Sequence, residues 1–94
     1  MESNANKSFL EDFLGIEFTA CKSSNIEAFG FDPAKNDLWI LFKGSIVYRY
    51  ENQTQEAYNN LCAADSKGSW VNQNLVKTKA KCYRHRIQTK SSKE

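Results

Sequence analysis

The sequence predicts one small α+β domain, in which an antiparallel β-sheet of three to four strands is packed by C-terminal helices and preceded by a short N-terminal helix. The chain of 94 residues is long enough for one compact unit. Two neighbouring apolar runs, residues 38–42 and 46–50, predict a central hairpin over residues 38–51. After residue 53, apolar side chains recur at helical spacing, which predicts the C-terminal helices.

Residues 1–22 are interpreted as an N-terminal extension with a short helix and a strand. Ser8 is suited to cap the helix, because Glu11 three residues later completes a capping box, and Gly15 ends it. Phenylalanine and leucine recur at helical spacing between these points, so we expect the helix to dock on the domain. The first strand of the extension is predicted at residues 16–21.

The sheet continues with an extended segment at residues 26–31, which ends before Pro33 because proline has no N–H to donate. The run LWILF, residues 38–42, has the strongest strand pattern in the chain, and IVYRY, residues 46–50, returns beside it. A helix is predicted over residues 53–65. A second helical turn is expected from Ser69, as its N-cap, to about residue 77.

The length of the hairpin turn decides where Tyr48 and Tyr50 point, because side chains alternate between the faces of a strand. A two-residue turn at residues 44–45 places both rings beside Trp39. A three-residue loop at residues 44–46 instead places them on the aliphatic face of the first strand. The rings are then either half-buried core residues or a surface on which a flat ligand stacks.

Under either register Arg49 takes the face opposite the tyrosines. The residues favour the two-residue turn, because a three-residue loop usually ends on a left-handed residue and β-branched Ile46 resists that conformation.

Charge is distributed unevenly along the chain. Residues 77–94 hold seven lysines and arginines against one glutamate, a net charge of +6, whereas the preceding residues have a net charge of −4. Residues 78–94 are interpreted as a basic C-terminal tail, which suggests an anionic partner. The alternative is a tail that maintains solubility or folds back on the acidic body.

The three cysteines predict free thiols in a cytoplasmic protein, because their number is odd and no secretory segment precedes the first one. Cys82 and His85 supply two ligands where a structural zinc ion needs four, so we expect no metal and no cofactor. No run approaches the roughly 20 apolar residues that a bilayer requires, so we expect no membrane association.

Several short stretches together resemble the KTSC domain family over residues 23–77. They are Ser23-Ser24-Asn25-Ile26, Gly30-Phe31-Asp32, Leu38-x-Ile40-x-Phe42, Val47-Tyr48-x-Tyr50 and Ala64-x-Ser66-x-Gly68-x-Trp70-Val71-Asn72. The family is named for its place at the C-terminus of some lysyl-tRNA synthetases and otherwise occurs as stand-alone bacterial and phage proteins. The resemblance implies a small antiparallel sheet followed by helices, with residues 38, 40 and 42 facing the core. It favours RNA as a ligand and implies no catalytic residues.

The sequence does not favour an enzyme, because His85 is the one histidine and no catalytic pair or phosphate-binding glycine loop accompanies it. The leading hypothesis is a module that binds RNA or single-stranded nucleic acid by stacking and phosphate contacts. The candidate binding residues are Trp39, Tyr48, Arg49, Tyr50, Lys77, Lys79, Lys81, Arg84 and Arg86.

The alternative function is a protein-interaction module, or one that sequesters a nucleotide or small ligand, of the kind that a phage directs against a host defence. A homodimer formed through the sheet edges is a further expectation, because an open edge can pair with another strand.

Overall fold

A computed structural model of the chain describes residues 3–87. Its helices and strands are, in chain order, α1 Ser3–Leu14, β1 Phe18–Ala20, β2 Ile26–Asp32, β3 Asp37–Phe42, β4 Ile46–Tyr50, α2 Gln55–Ala63, α3 Lys67–Val71 and β5 Cys82–Arg86. Helix α3 continues directly into a π-helical turn, Asn72–Val76. The strands form one antiparallel meander in the order β1-β2-β3-β4-β5, so the predicted α+β class is confirmed.

Both faces of the sheet are covered. On the α2–α3 face, strand residues pack against the C-terminal helices through Ile26, Phe29, Phe31, Leu38, Ile40, Tyr50, Leu61, Val71 and Leu75. On the α1 face, a smaller core beneath the N-terminal helix consists of Leu10, Phe18, Ala28, Trp39, Leu41, Val47 and Ile87. Burial on both sides explains why β3 is apolar from Leu38 to Phe42 instead of alternating with polar residues.

The hairpin register places Tyr48 and Tyr50 on the α2–α3 face. Tyr48 pairs with Ile40, and Tyr50 pairs with Leu38, across a loop of residues 43–45. The favoured two-residue turn at residues 44–45 is therefore wrong. The alternative, a three-residue loop, correctly placed both tyrosines on the face of Ile40. That loop was predicted at residues 44–46, one residue later than it is observed.

Ser45 is the residue that makes the observed loop possible. Gly44 and Ser45 take the positive φ angles of 96° and 65°, so Ile46 stays extended in β4. The Ser45 carbonyl accepts a hydrogen bond from the Ile87 N–H at 2.8 Å, and its hydroxyl accepts one from the Asn6 side-chain amide at 3.0 Å. These contacts come from distant segments and hold the serine in a conformation that it otherwise adopts rarely.

Helix α1 begins earlier than predicted. Ser8 lies inside the helix and is not its N-cap. Glu11, the other half of the predicted capping box, instead accepts a hydrogen bond from the Phe18 N–H at 2.8 Å and one from the Lys7 ammonium at 3.1 Å. The carboxylate thus connects the helix to the first strand.

The C-terminal helices begin at residues with capping side chains. The Thr54 hydroxyl accepts from the Ala57 N–H at the start of α2. Helix α3 is capped by Ser66, which accepts from the Ser69 N–H, so the prediction of Ser69 as the cap is wrong by one turn.

Strand β5 is the element that the sequence did not predict. It lies within the segment interpreted as a basic tail and pairs with β4 from Tyr50 opposite Cys82 to Ile46 opposite Arg86. Its five side chains are exposed, whereas Ile87 immediately after it is buried on the α1 face. The sheet therefore has five strands instead of three to four, and residues 88–94 of the interpreted tail lie outside the described residues.

Candidate binding site

An open cavity of about 620 Å³ lies where β4 and β5 meet the π-helical turn. Its lining, which we call the tyrosine cavity, consists of Phe42, Ile46, Tyr48, Tyr50, Leu75, Val76, Lys79, Ala80, Cys82 and Arg84. The volume falls within the range of ligand-binding pockets in proteins.

Three aromatic rings form one wall of the tyrosine cavity. Tyr48 and Tyr50 stack with ring centroids 6.0 Å apart and an interplanar angle of 18°, and Phe42 meets Tyr48 edge-on with centroids 5.4 Å apart. Tyr50 is 3% exposed and belongs to the core, whereas Tyr48 is half-buried. Tyr48 is therefore the tyrosine with ring surface available to a ligand.

The charged residues among the described lining of this cavity are both cationic. Arg84 lies directly opposite Tyr48 in the β4–β5 register, so alternation puts its side chain on the same face. Lys79 follows the π-helical turn with a φ of 59°, and its N–H donates to the Val76 carbonyl at 3.0 Å. The cavity thus combines an aromatic wall with positive charge, which suits a ligand that is both flat and anionic.

The pKa of Tyr50 is raised to about 12, chiefly by burial and then by the neighbouring Cys82 and Tyr48. Like an ordinary tyrosine hydroxyl with a pKa of 10.0, the Tyr50 hydroxyl is protonated at neutral pH and can donate a hydrogen bond, and the raised pKa extends this state to more alkaline solution. Tyr50 therefore contributes a neutral polar side chain to the cavity lining.

Two of the predicted binding residues lie on the opposite side of the sheet. Trp39 is 9% exposed and packs in the core beneath α1, with its ring 6.0 Å from that of His85. Arg49 lies 3.6 Å from the Asp37 carboxylate and 3.0 Å from that of Glu51. Its charge is therefore already compensated within the protein.

Arg49 also connects β4 to β5. Its guanidinium carbon lies 4.3 Å from the centroid of the Tyr83 ring, a cation–π contact between directly paired residues. Lys81 joins this cluster, with its ammonium 4.0 Å from the Glu51 carboxylate. This arrangement stabilises the attachment of the edge strand.

The two remaining candidates are exposed and lie outside the cavity lining. Arg86 pairs with the cavity residue Ile46 and therefore lies on the same face of the sheet. Lys77 directly follows the π-helical turn. Of the nine predicted binding residues, the structure brings Tyr48, Tyr50, Lys79 and Arg84 together in one cavity.

A second cavity, also of about 620 Å³, lies beside the first. We call it the serine cavity; its lining is Lys22, Ser23, Ser24, Asn25, Ile26, Phe42, Asp65, Ser66, Lys67, Gly68, Ser69, Val71, Asn72 and Val76. It shares Phe42 and Val76 with the tyrosine cavity.

Sequence reasoning did not select any of the polar residues of the serine cavity as binding residues. The indication available in the sequence was that the stretches around Ser23 and Ser66 both carry the family resemblance, although they are far apart in the chain. The structure brings both stretches to this cavity. A Cβ atom added at Gly68 would lie 3.8 Å from the Ser23 hydroxyl oxygen.

Within residues 3–87, no group of three or more histidine, cysteine, aspartate or glutamate side chains is placed to hold a metal ion. None of the helices found there is long and apolar enough to cross a membrane.

Comparison with known proteins identifies relatives of this chain. The KTSC domain family model matches residues 22–78, more than half of the chain. A protein of Tsukamurella paurometabola is 43% identical over 51 residues, which is 54% of this chain and 76% of that protein. An uncharacterised protein of Stutzerimonas stutzeri is 37% identical over 54 residues, which is 57% of this chain and 76% of that protein.

A solved structure has the same fold. The crystal structure of a KTSC domain protein from Yersinia pestis superimposes with a TM-score of 0.65 and 28% sequence identity, covering 77% of this chain and 97% of that one. The span matched by the family model begins after β1 and ends before β5.

Proposed function

The chain belongs to the KTSC domain family, and we propose that it is a non-enzymatic module that binds RNA or another single-stranded nucleic acid. The observation that carries this proposal is the tyrosine cavity. There Tyr48 is half-buried, and the charged residues of the described lining, Lys79 and Arg84, are both cationic.

Single-stranded nucleic acids are typically bound by aromatic rings that stack on bases and by cations that follow the phosphates. In this chain Tyr48 would stack on a base, while Arg84 and Lys79 would contact the adjoining phosphates. Arg86 lies next along β5 on the same face and would continue the phosphate path. Arg49 would not contact the phosphates, because its guanidinium forms salt bridges with Asp37 and Glu51.

The positions of the reactive side chains support a non-enzymatic function in the cytoplasm. Cys82 and His85 are three residues apart on β5, so they point to opposite faces and cannot form a catalytic pair. Cys21, Cys62 and Cys82 are all unpaired, as expected of a protein in a reducing compartment.

A second candidate function is the sequestering of a mononucleotide, which the size of the tyrosine cavity favours. One base and its phosphate would occupy the cavity without a continuing strand. The homodimer through the sheet edges stays a prediction. The charged side chains of Arg84 and Arg86 on the outer strand weigh against it, because charges on an edge strand oppose pairing with another chain.

Tyr48→Ala removes the accessible ring of the tyrosine cavity. We expect binding of a fluorescently labelled oligouridylate of about eight nucleotides to weaken by roughly 1 to 3 kcal/mol, the usual contribution of one base–aromatic stack. Fluorescence polarisation over a salt series measures this, and affinity should fall as salt rises because bound phosphates release counterions. Tyr48 is preferred to Tyr50, since truncating the buried Tyr50 would damage the core.

The matched control is Phe13→Ala, which removes an exposed aromatic ring from α1, outside the lining of the tyrosine cavity. This variant should retain the wild-type affinity. Equal losses in the two variants would contradict the assignment of binding to the tyrosine cavity. An absence of wild-type binding at low salt would contradict the proposed function, and a mononucleotide that binds as tightly as the oligomer would favour the second candidate.

A further inference from the structure

We infer that the serine cavity holds a phosphate group of the same strand, so that the bound nucleic acid crosses from one cavity to the other over Phe42 and Val76. This inference rests on the proposed function and extends it to a second set of residues. It makes the binding site longer than the tyrosine cavity alone.

The two cavities are continuous along one wall. Phe42 and Val76 line both of them, and Val76 is 53% exposed. Phe42 also contacts Tyr48 edge-on, so the aromatic wall leads to the boundary with the serine cavity. A strand that leaves Tyr48 in this direction passes over an apolar ridge, which suits a sugar or base, and then reaches polar groups.

The hydroxyls of Ser23 and Ser66 in the serine cavity can donate hydrogen bonds to a ligand. The Ser23 hydroxyl oxygen accepts from the N–H groups of Asn25 and Ile26, each at 3.2 Å, and the Ser66 hydroxyl oxygen accepts from the Ser69 N–H at 3.2 Å. Within residues 3–87 neither hydroxyl donates to a protein group, so each keeps its hydrogen for a ligand. A hydroxyl that accepts such bonds is polarised and becomes a better donor to an anion.

The charge of the cavity fits one phosphodiester. Lys22 and Lys67 are cationic and Asp65 is anionic, which leaves a net charge of +1 among the described lining. The Lys67 ammonium donates to the carbonyls of Cys62 at 3.0 Å and Ala64 at 2.6 Å. It is thereby fixed in place, with one of its three donors left for a ligand.

Lys22 provides the test, because its side chain is exposed and forms no hydrogen bond within the described chain. We compare wild type with Lys22→Ala on oligouridylates of about two and about eight nucleotides, the longer one lying within the usual site sizes of single-strand binders. For the longer strand, the slope of log affinity against log salt should fall by about 0.7 in magnitude, the loss of one phosphate contact. The dinucleotide, which fills the tyrosine cavity alone, should bind equally well to both proteins.

The matched control is Lys35→Ala, which removes the same charge from the exposed turn between β2 and β3, outside both cavities. It should leave the salt slope unchanged. In NMR titrations, the amide of Gly68 should shift with the longer strand and not with the dinucleotide.

Binding by the tyrosine cavity and binding by the serine cavity can be contradicted separately. If Tyr48→Ala weakens binding of the longer strand while Lys22→Ala behaves like Lys35→Ala, the inference is overturned and the proposed function stands. If wild type binds neither strand, both are overturned. A Gly68 shift that the dinucleotide produces as strongly as the longer strand also overturns the inference.

Discussion

Tyr48 and Tyr50 lie two residues apart on one face of β4, and their depth in the structure gives them different roles. Tyr50 is 3% exposed and packs with Leu38 and Ile40 in the main core. Tyr48 packs against that core from its edge and keeps part of its ring accessible. The same tyrosine motif therefore supplies both a folding residue and a candidate ligand contact.

Tyr50→Phe should make the protein more resistant to alkaline unfolding. The pKa of Tyr50 is raised by burial from 10.0 to about 12 in the folded state. Between these values the unfolded chain loses its phenolic proton first, so the stability that the neutral ring contributes is complete below pH 10 and is lost as pH rises towards 12.

The phenylalanine variant lacks this proton, so its free energy of unfolding should decline less over that pH interval. Urea denaturation at a series of pH values, followed by circular dichroism, measures the difference. Parallel decline of the two proteins would show that Tyr50 ionises equally easily in both states and would contradict the expected effect of burial.

Alternation along the strands correctly predicted that both tyrosines share one face, but it could not give the register. That choice depended on Ser45, whose positive φ is held by hydrogen bonds from Asn6 and Ile87. Asn6 belongs to α1 and Ile87 follows β5, so the sequence around the turn does not indicate that they contact it. The resemblance of the sequence to the KTSC domain family indicated the correct core face where turn chemistry alone did not.

At the scale of elements, β5 is a strand that the composition of its segment does not indicate. Its sequence, CYRHR, has no apolar alternation, because both sides of this edge strand are exposed. It is held by backbone pairing to β4, by the contact between Arg49 and Tyr83, and by burial of Ile87. The charged residues that were interpreted as a tail therefore belong to an edge strand of the sheet, and Arg84 of this strand lines the tyrosine cavity.

Helix α1 depends on Glu11 for its attachment to β1, which gives its docking a pH dependence. The pKa of Glu11 is lowered, chiefly by the hydrogen bond from the Phe18 N–H and then by that from the Lys7 side chain. A carboxylate with a lowered pKa in the folded state adds stability above its unfolded value of 4.5, and this stability is lost as pH falls through the folded value.

Glu11→Gln should accordingly lower the melting temperature at pH 7, and the deficit should shrink as pH is reduced below 4.5. Thermal unfolding of both proteins at several pH values measures the deficit. Asp12→Asn is the matched control, since it changes the adjacent, exposed carboxylate of the same helix and should have little effect at pH 7. A deficit that stays constant down to acid pH would mean that Glu11 acts through packing and not through its charge.

At the scale of the whole molecule, the sheet separates its charged clusters. Arg84 and Lys79 face the tyrosine cavity on the α2–α3 side, while Arg49 is neutralised by Asp37 and Glu51 on the other side. The uneven charge along the sequence suggested an anionic partner for the basic C-terminal segment, which stays a prediction. It could not show which cations were free, because pairing depends on the face that β5 presents after it joins the sheet.

Because β5 is part of the sheet, deleting the basic C-terminal segment would affect folding as well as binding. Deleting residues 78–94 would test the basic segment as a detachable tail, yet it would also remove a strand and the buried Ile87. Burial of one such side chain contributes roughly 1.5 to 3 kcal/mol, a large share of the ~5–15 kcal/mol that stabilises a typical domain. We therefore expect the truncated chain to melt at a clearly lower temperature or to be unfolded. Its loss of binding would then give no information about phosphate contacts. A truncated chain as stable as wild type would contradict the structural role of β5.

Replacing the charges without removing the strand separates folding from binding. Arg84→Gln combined with Arg86→Gln changes two exposed side chains that form no ion pair within residues 3–87, so the melting temperature should stay close to that of wild type. If both arginines contact phosphates of a single strand, the slope of log affinity against log salt should fall by about 1.4 in magnitude, because each lost contact removes about 0.7. Circular dichroism and fluorescence polarisation on the same samples measure the two effects. An unchanged salt slope in the double variant would contradict the contact of β5 with the phosphates.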